Sequence, residues 1–277
     1  MSPYSTLHTH TESGIHTILL NRPEKRNALT PQLMEELTHA LEAFAGSQTC
    51  RVVIITGTGS SFCAGLDLEH LRTMPGVAGQ PSADKEYQAD AERIAKLLST
   101  LYSLPKPSIA AVNGPAIAGG MGIATLCDFT LAAPEAKFGY TEVRIGFVPA
   151  IVSAFLRTQL GEKSCRDLLL TGRLVSAAEA ESLGLVNRIV AEPDLLREAR
   201  SLAVRLVRNS PAALEATKRL LGKFSDHYLP NDIETAIRAS VDSRSNADFH
   251  EGVSAFLEKR EPRWPSGHLA AKEPVPK

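Results

Sequence analysis

Short, continuously apolar segments that alternate with amphipathic stretches are the feature that most constrains the fold of this chain. The clearest are 51–56 (RVVIIT), 108–112 (SIAAV) and 129–132 (FTLA). Strands without polar alternation are typical of parallel sheets whose two faces are both covered by helices. An earlier segment, Gly14–Leu20 (GIHTILL), predicts a first strand. The alternation of strands and helices to about Val190 therefore predicts an α/β core.

Helical patterns connect these strands and fill the last third of the chain. Thr30-Pro31 predicts an N-cap followed by proline at the first helical position, and the helix should run to about Ala45. A second helix is predicted from Lys85 to Leu101. The Gly/Pro/Ala-rich segment 75–82 predicts a mobile loop between them. Beyond Glu192 the pattern is helical throughout.

The composition limits the classes of partner and compartment. Hydrophobic residues make up 43% of the chain and charged residues 22%, which is typical of a globular protein with a sizeable core. The net charge of -1 gives no electrostatic basis for binding nucleic acid or an anionic membrane. The four cysteines lack metal-ligand spacing and predict reduced core residues, which fits a cytoplasmic protein.

The polar terminus and the hydropathy pattern carry two further expectations. The N-terminal residues 1–11 have no apolar stretch of the kind found in signal peptides, and no run of about 18 apolar residues predicts a membrane span. The terminal pair His8 and His10 is expected to lie in a mobile segment rather than to bind a metal.

Two glycine-bearing loops each follow an apolar strand, and they are the first candidates for a site. They are 61–68 (SFCAGLDL) and 113–122 (NGPAIAGGMG), and the second opens a helix. Glycines let backbone N–H groups approach a ligand, and a helix N-terminus adds positive potential. Two such N–H groups that converge on one point would form an oxyanion hole. The alternative is that these glycines serve only tight turns and close packing.

The third candidate is Glu142, which lies in the apolar and aromatic segment 138–149 (FGYTEVRIGFVP). A carboxylate desolvated there would have a raised pKa, which suits general acid/base catalysis. The alternative is an ion pair with Arg144 or another cation. Dinucleotide-binding, phosphate-loop, nucleophile-elbow and zinc-protease motifs do not occur in the sequence.

Taken together, these motifs resemble those of the crotonase (enoyl-CoA hydratase/isomerase) superfamily from about residue 15 to 260. The resemblance rests on NRPEKRNAL, SFCAGLDL, NGPAIAGGMGIATLCD, AKFGYTEVRIGFVPA, LTGRLVSAAEAESLGLVNRIV and EGVSAFLEKR, in that order. It implies a spiral of β-β-α units over 1–195 and a C-terminal helical subdomain over 196–277 that serves trimerisation and caps the site. It also implies a homotrimer or a dimer of trimers.

The resemblance further implies an acyl-CoA substrate, with CoA as part of the substrate and no separate cofactor or metal. By position, the N–H groups of Leu66 and Gly119 would form the oxyanion hole, and Glu142 would be the acid/base. Contacts to CoA would come from Arg26, Ala28, Ala64, Asp67, Leu68, Gly120, Phe256 and Lys259.

One departure from the family pattern concerns the reaction. Hydratases of this family carry a second glutamate at a position that is Gly122 here. Hydration needs a base for water and an acid for C2, whereas moving a double bond needs only one carboxylate. The sequence therefore favours an isomerase over a hydratase, unless Asp67, Glu69 or Asp84 replaces the missing group. Decarboxylation, C–C bond cleavage and non-catalytic acyl-CoA binding remain alternatives.

Overall fold

Two sheets form the framework of the protein. The computed structural model describes residues 3–74, 81–225 and 228–267. The strands in these residues are β1 (Leu7–Glu12), β2 (Ile15–Leu20), β3 (Val52–Gly57), β4 (Ser108–Val112), β5 (Ala116–Ile117), β6 (Phe129–Ala132), β7 (Lys137–Gly139), β8 (Val175–Ser176) and β9 (Arg188–Ile189).

The larger sheet has the order β1-β2-β3-β4-β6-β9, and the smaller one has the order β5-β7-β8. In the larger sheet β1 and β2 are antiparallel, and every later pair is parallel. In the smaller sheet β5 pairs with β7 in parallel, and β7 pairs with β8 in antiparallel fashion. Because β3 and β4 are parallel neighbours, the loops that follow them leave the sheet at the same edge.

Helices cover both faces of the larger sheet. They are α1 (Pro31–Gly46), α2 (Leu68–Thr73), α3 (Pro81–Tyr102), α4 (Gly119–Leu126), α5 (Ala150–Gln159), α6 (Glu162–Thr171), α7 (Ala177–Ser182), α8 (Leu195–Val207), α9 (Pro211–Ser225), α10 (Leu229–Arg244) and α11 (Ala247–Leu257). Short 3-10 helices occur at Pro23–Lys25, Glu142–Ile145 and Glu192–Asp194.

Strand β3 shows why a continuously apolar segment predicted burial on both faces. Successive side chains of a strand point to opposite faces. Val53 and Ile55 belong to the core that contains α1 and α3, whereas Val52 and Ile54 pack in a second core with residues of α8. The α/β prediction is confirmed by this two-sided sheet.

Two local predictions differ from the structure. Residues Leu7–Glu12 form β1 and pair with β2 over its whole length, so His8 and His10 lie in an edge strand and not in a mobile terminus. The helix predicted from Lys85 begins earlier, at Pro81. The last two residues of the predicted loop 75–82 therefore belong to this helix. The rest of that loop prediction, residues 75–80, lies outside the described residues.

The C-terminal helices contact several parts of the core. Helix α8 packs on β3 and β4, α10 packs on α3 and α5, and α11 packs on α2 and on the 3-10 helix Glu142–Ile145. The division into 1–195 and 196–277 stays a prediction, as does the role of the second part in trimerisation. Across the described ranges, no helix is both long and apolar enough to cross a membrane.

Candidate active site

The two glycine-bearing loops contact each other through backbone hydrogen bonds. Phe62 N–H donates to the Pro115 carbonyl at 3.1 Å, and Ile117 N–H donates to the Cys63 carbonyl at 2.9 Å. The parallel arrangement of β3 and β4 delivers both loops to one sheet edge, where open α/β sheets place their ligands. The loops therefore form one rigid unit.

Glycine makes this close approach possible at two positions. Gly65 has φ +83°, and a Cβ there would lie 2.8 Å from the Ala118 Cβ and 3.6 Å from the Gly119 nitrogen. At Gly120 a Cβ would lie 2.3 Å from the Cys63 carbonyl oxygen. Both glycines thus serve packing, as the alternative interpretation held. That packing is also what brings Leu66 and Gly119 to the same site, so the two interpretations are compatible.

The backbone N–H groups of Leu66 and Gly119 are available to a ligand. Among the described residues, neither donates a hydrogen bond to a backbone carbonyl or a side chain. Gly119 is the first residue of α4, where N–H groups have no partner within the helix and the helix dipole adds positive potential. The preceding Ala118 has φ 52°, a strained conformation for a residue with a Cβ, as often found at functional sites.

Glu142 begins a short 3-10 helix and is buried, with 7% of its surface exposed. Within the described residues, its Oε2 atom has no hydrogen-bond partner. Desolvation by burial raises the pKa of this carboxyl group to about 7. Arg144 is exposed and makes no ion pair with it within the described part of the chain, so the salt-bridge interpretation is wrong.

These groups line one cavity of about 480 Å³. The three predicted catalytic residues, Leu66, Gly119 and Glu142, all line it. Four of the residues predicted to contact CoA line it too, namely Arg26, Ala64, Leu68 and Phe256. Phe256 comes from α11 and is 60% exposed, so the C-terminal region reaches the opening of the cavity.

The other four predicted CoA contacts do not line the cavity. Asp67 caps α2 and forms an ion pair with Arg22 at 3.1 Å, and the Ala28 carbonyl accepts a hydrogen bond from the same arginine at 2.5 Å. Gly120 faces Cys63, as described above. Lys259 is exposed beyond the end of α11, with φ 55°. A contact of these four residues with CoA stays a prediction.

Gly122 faces apolar side chains. A Cβ at this position would lie 3.1 Å from Val152 Cγ1 and 3.4 Å from Leu98 Cδ1. Val152 lines the cavity, whereas Gly122 does not. The space next to position 122 is therefore filled by hydrocarbon.

The three carboxylates considered as substitutes lie elsewhere. Asp67 is held by Arg22, Glu69 pairs with Lys25 at 2.7 Å on the surface, and Asp84 lines a separate recess beside α10. Among the described residues that line the cavity, Glu142 is the sole carboxylate.

Arg244, at the end of α10, also lines the cavity and was not predicted from the sequence. Its side chain is fully buried, with its Nη2 atom 2.8 Å from Asp90 Oδ2. Its guanidinium carbon lies 5.2 Å from the centre of the Phe147 ring. No local pattern in the sequence marks Arg244, because it is one of two arginines in a largely polar helix, and only packing shows that it faces inward.

Comparison with known proteins agrees with this fold and cavity. A family model described as enoyl-CoA hydratase/isomerase matches residues 10–267. A relative from Thermus thermophilus, named as an enoyl-CoA hydratase, is 42% identical over 250 residues, which are 90% of this chain and 97% of the relative. One from Mycobacterium tuberculosis, also named as an enoyl-CoA hydratase, is 35% identical over 265 residues, or 94% and 98% of the two chains.

A solved structure shows the same architecture. The enoyl-CoA hydratase/isomerase from Xanthobacter autotrophicus Py2 superposes with a TM-score of 0.85 at 28% identity, covering 95% of this chain and 99% of that one. The chain belongs to the enoyl-CoA hydratase/isomerase family, and its fold is the crotonase fold.

Proposed function

We propose that this protein moves the double bond of an enoyl-CoA thioester, with Glu142 as the acid/base and the N–H groups of Leu66 and Gly119 as the oxyanion hole. The observation that carries the proposal is one cavity whose described lining includes a single buried carboxylate and two residues with free N–H groups, while the nearby position 122 is a glycine that faces apolar side chains. The family supplies the substrate class, an acyl-CoA.

The two N–H groups acidify the substrate. The thioester oxygen accepts both hydrogen bonds, and these strengthen as negative charge develops on it during loss of a proton from carbon. Each donor of this kind typically lowers the barrier by about 3–4 kcal/mol. The N-terminus of α4 adds positive potential at the same point.

Glu142 moves the proton. In a 3-enoyl-CoA, the ionised carboxylate takes a proton from C2, and the electron pair spreads over the dienolate onto the thioester oxygen. The protonated Glu142 then returns the proton to C4, and the double bond comes to lie between C2 and C3. A pKa of about 7 keeps both protonation states of Glu142 accessible near neutral pH. No atom is gained or lost in this cycle.

Hydration is the second candidate, and the names of the relatives favour it. Addition of water to a 2-enoyl-CoA needs a base for the water and an acid for C2. Glu142 would have to perform both tasks, because the neighbourhood of Gly122 holds hydrocarbon. The second carboxylate that would make hydration efficient is therefore missing on the side where hydratases of the family carry it.

Arg26, Ala64, Leu68 and Phe256 would hold the CoA part of the substrate at the open end of the cavity. The proposed assembly is a homotrimer or a dimer of trimers. Three apolar side chains near the end of α9 are exposed in the single chain, and an assembly would cover them: Leu220, Leu221 and Phe224.

The ultraviolet absorbance of the conjugated thioester tests the proposal. Purified protein is mixed with a 3-enoyl-CoA and, separately, with a 2-enoyl-CoA. A rise with the 3-enoyl substrate is expected, faster than any fall with the 2-enoyl substrate. A faster fall with the 2-enoyl substrate would assign the protein as a hydratase. No change with either would point to another reaction of the family or to a binding role.

A further inference from the structure

Arg244 is a fully buried polar side chain of the cavity lining that the proposed reaction does not use. Its side chain is 0% exposed, and its guanidinium carbon lies 5.2 Å from the centre of the Phe147 ring, in a cavity whose lining also includes the apolar Leu71 and Ile94. A buried ion pair at such a place is no help to a hydrocarbon ligand, since well-packed apolar residues of similar volume are often at least as stable. Asp90 is the ion-pair partner of Arg244, and the question is whether the remaining N–H groups of the guanidinium serve a further acceptor.

The hydrogen-bonding capacity of Arg244 is only partly used. Its Nη1 donates to the Tyr87 carbonyl at a long 3.4 Å, and within the part of the chain that the structure describes its Nε and Nη2 donate no aligned hydrogen bond. The 2.8 Å contact of Nη2 with Asp90 is close but not aligned for a hydrogen bond, so we regard it as an electrostatic contact. A buried N–H group without an acceptor is costly, so an acceptor supplied by a ligand would relieve that cost.

The charges around Arg244 also permit an acceptor to enter. The carboxylate of Asp90 is shared, because Arg93 Nη1 lies 3.8 Å and His70 Nε2 lies 3.9 Å from its Oδ1 atom. The buried Asp90 carboxylate thus faces two guanidinium groups and an imidazole, and one of these guanidinium groups, that of Arg93, also pairs with Glu35 at 2.8 Å on the surface. The negative end of a ligand dipole, or a carboxylate, would not meet an excess of negative charge here.

The ligand group that reaches Arg244 should belong to the acyl part of the substrate. The phosphates of CoA are strongly hydrated, and the fully buried Arg244 could reach them only if they were stripped of water. A group that enters this largely apolar cavity and meets Arg244 has to be mostly apolar itself, with one oxygen in reach of the guanidinium.

We propose that Arg244 is a specificity residue that selects acyl-CoA thioesters whose acyl group carries an oxygen acceptor away from the thioester, in preference to plain hydrocarbon chains. This proposal rests on the proposed function for its acyl-CoA ligand. It goes further by naming the chemistry of the acyl group and the side chain that recognises it. A hydroxyl and a carboxylate share that chemistry, and the test separates them.

Binding to the intact protein tests the proposal without any turnover. Dissociation constants are measured by titration calorimetry for hexanoyl-CoA, 6-hydroxyhexanoyl-CoA and adipoyl-CoA, and for the four-carbon and eight-carbon members of the same series. At one or more lengths an oxygenated member is expected to bind at least about tenfold more tightly than its hydrocarbon counterpart. Tighter binding of the hydroxyl than of the carboxylate would identify a neutral acceptor, and the reverse an anionic one. Equal or tighter binding of the hydrocarbon at every length would overturn the proposal.

A paired variant separates recognition from support of the fold. In Arg244→Met with Asp90→Leu, both charges are replaced by apolar side chains, so no buried charge is left alone. The preference for oxygenated chains should fall to within about threefold, while hexanoyl-CoA binding is kept. A preference that survives in this variant would show that Arg244 only joins α10 to α3. If the variant does not fold, the wild-type series still decides.

The outcome is independent of the reaction. The ligands are saturated and cannot isomerise or add water, so a failure of the enoyl-CoA assays would leave the binding comparison intact. Conversely, an active isomerase that shows no preference among the acyl groups would refute the Arg244 proposal without contradicting the proposed function.

Discussion

Two buried ionisable groups line the same cavity, and only one of them has an ion-pair partner. Among the described residues Glu142 has no counter-ion, and burial raises the pKa of its carboxyl group to about 7. Burial also lowers the pKa of Arg244, but Asp90, which lies 2.8 Å from it, opposes that shift. The comparison teaches that burial without an opposite charge produces a group that can exchange a proton near neutral pH, whereas an opposite charge close by helps a buried group to keep its charge.

The largest expected effect follows from removing the exchangeable proton. Glu142→Gln keeps the shape of the side chain but cannot accept a proton from carbon, so kcat/KM with the preferred enoyl-CoA should fall by about 10²–10⁴-fold. Binding of a saturated acyl-CoA should change little. Glu135→Gln, an exposed carboxylate remote from the cavity lining, is the matched control and should retain activity. Comparable turnover by the Glu142 variant would refute its role as the acid/base.

The second test removes one member of the ion pair between Arg244 and Asp90. Arg244→Met alone leaves Asp90 buried without its nearest cation, and the free energy of unfolding should fall by about 3–5 kcal/mol. Adding Asp90→Leu should restore most of the lost free energy of unfolding. Chemical denaturation of the wild type, the two single variants and the double variant measures this coupling. Additive losses would show that the two side chains do not act as a pair.

How much of this could be read from the sequence differs between the two groups. The burial of Glu142 and the meeting of the two glycine-bearing loops were predictable, because the loops follow buried strands at one sheet edge and the carboxylate lies within a run of apolar residues. Arg244 was not, because its burial arises only where α3, α10 and Phe147 meet, and these are far apart in the chain. Long-range packing of this kind leaves no local pattern.

The strands show the same distinction between features with a local sequence pattern and features that depend on long-range contacts. Continuously apolar β3 and β4 were predicted from their own residues, since burial on both faces demands such a composition. Strand β1 was missed because its residues are mostly exposed and polar, and its pairing with β2 is what makes it a strand. The family resemblance supplied the overall architecture, but it did not indicate what fills the space beside Gly122.

The third prediction concerns the pH dependence of folding stability, which follows from the unpaired state of Glu142 among the described residues. The pKa of Glu142 is raised from 4.5 to about 7 on folding, so the folded state binds the proton more tightly than the unfolded state does. The protonated form therefore stabilises the fold fully below about pH 4.5, and that stabilisation is lost as the pH rises through 7. At pH 8 Glu142→Gln should be more stable than the wild type by about 1–3 kcal/mol, and at pH 4 the two should be equal. Denaturation curves at both pH values check this difference. Equal stability at pH 8 would mean that burial does not disfavour the ionised form of this carboxylate.

The same titration should govern activity. Removal of a proton from C2 requires ionised Glu142, so kcat/KM for a 3-enoyl-CoA should rise with pH and level off above about 7. Arg244 should contribute no inflection in this range, because the guanidinium group keeps its proton at these pH values. A profile that is flat from pH 5 to 9 would contradict the assignment of Glu142 as the base.

The smallest expected effect concerns position 122, where a second carboxylate could be restored. Gly122→Glu alone places a carboxylate against Val152 and Leu98, and it should destabilise the fold by about 2 kcal/mol without adding hydratase activity. Combining it with Val152→Gly removes the nearest obstacle, Val152 Cγ1, and opens a path to the cavity. If one carboxylate limits the protein to isomerisation, this double variant should gain hydration of a 2-enoyl-CoA relative to Val152→Gly alone, as measured by loss of the conjugated thioester absorbance. If hydration by the wild type is already as fast as isomerisation, the glycine at 122 does not determine the reaction, and Glu142 serves both proton transfers.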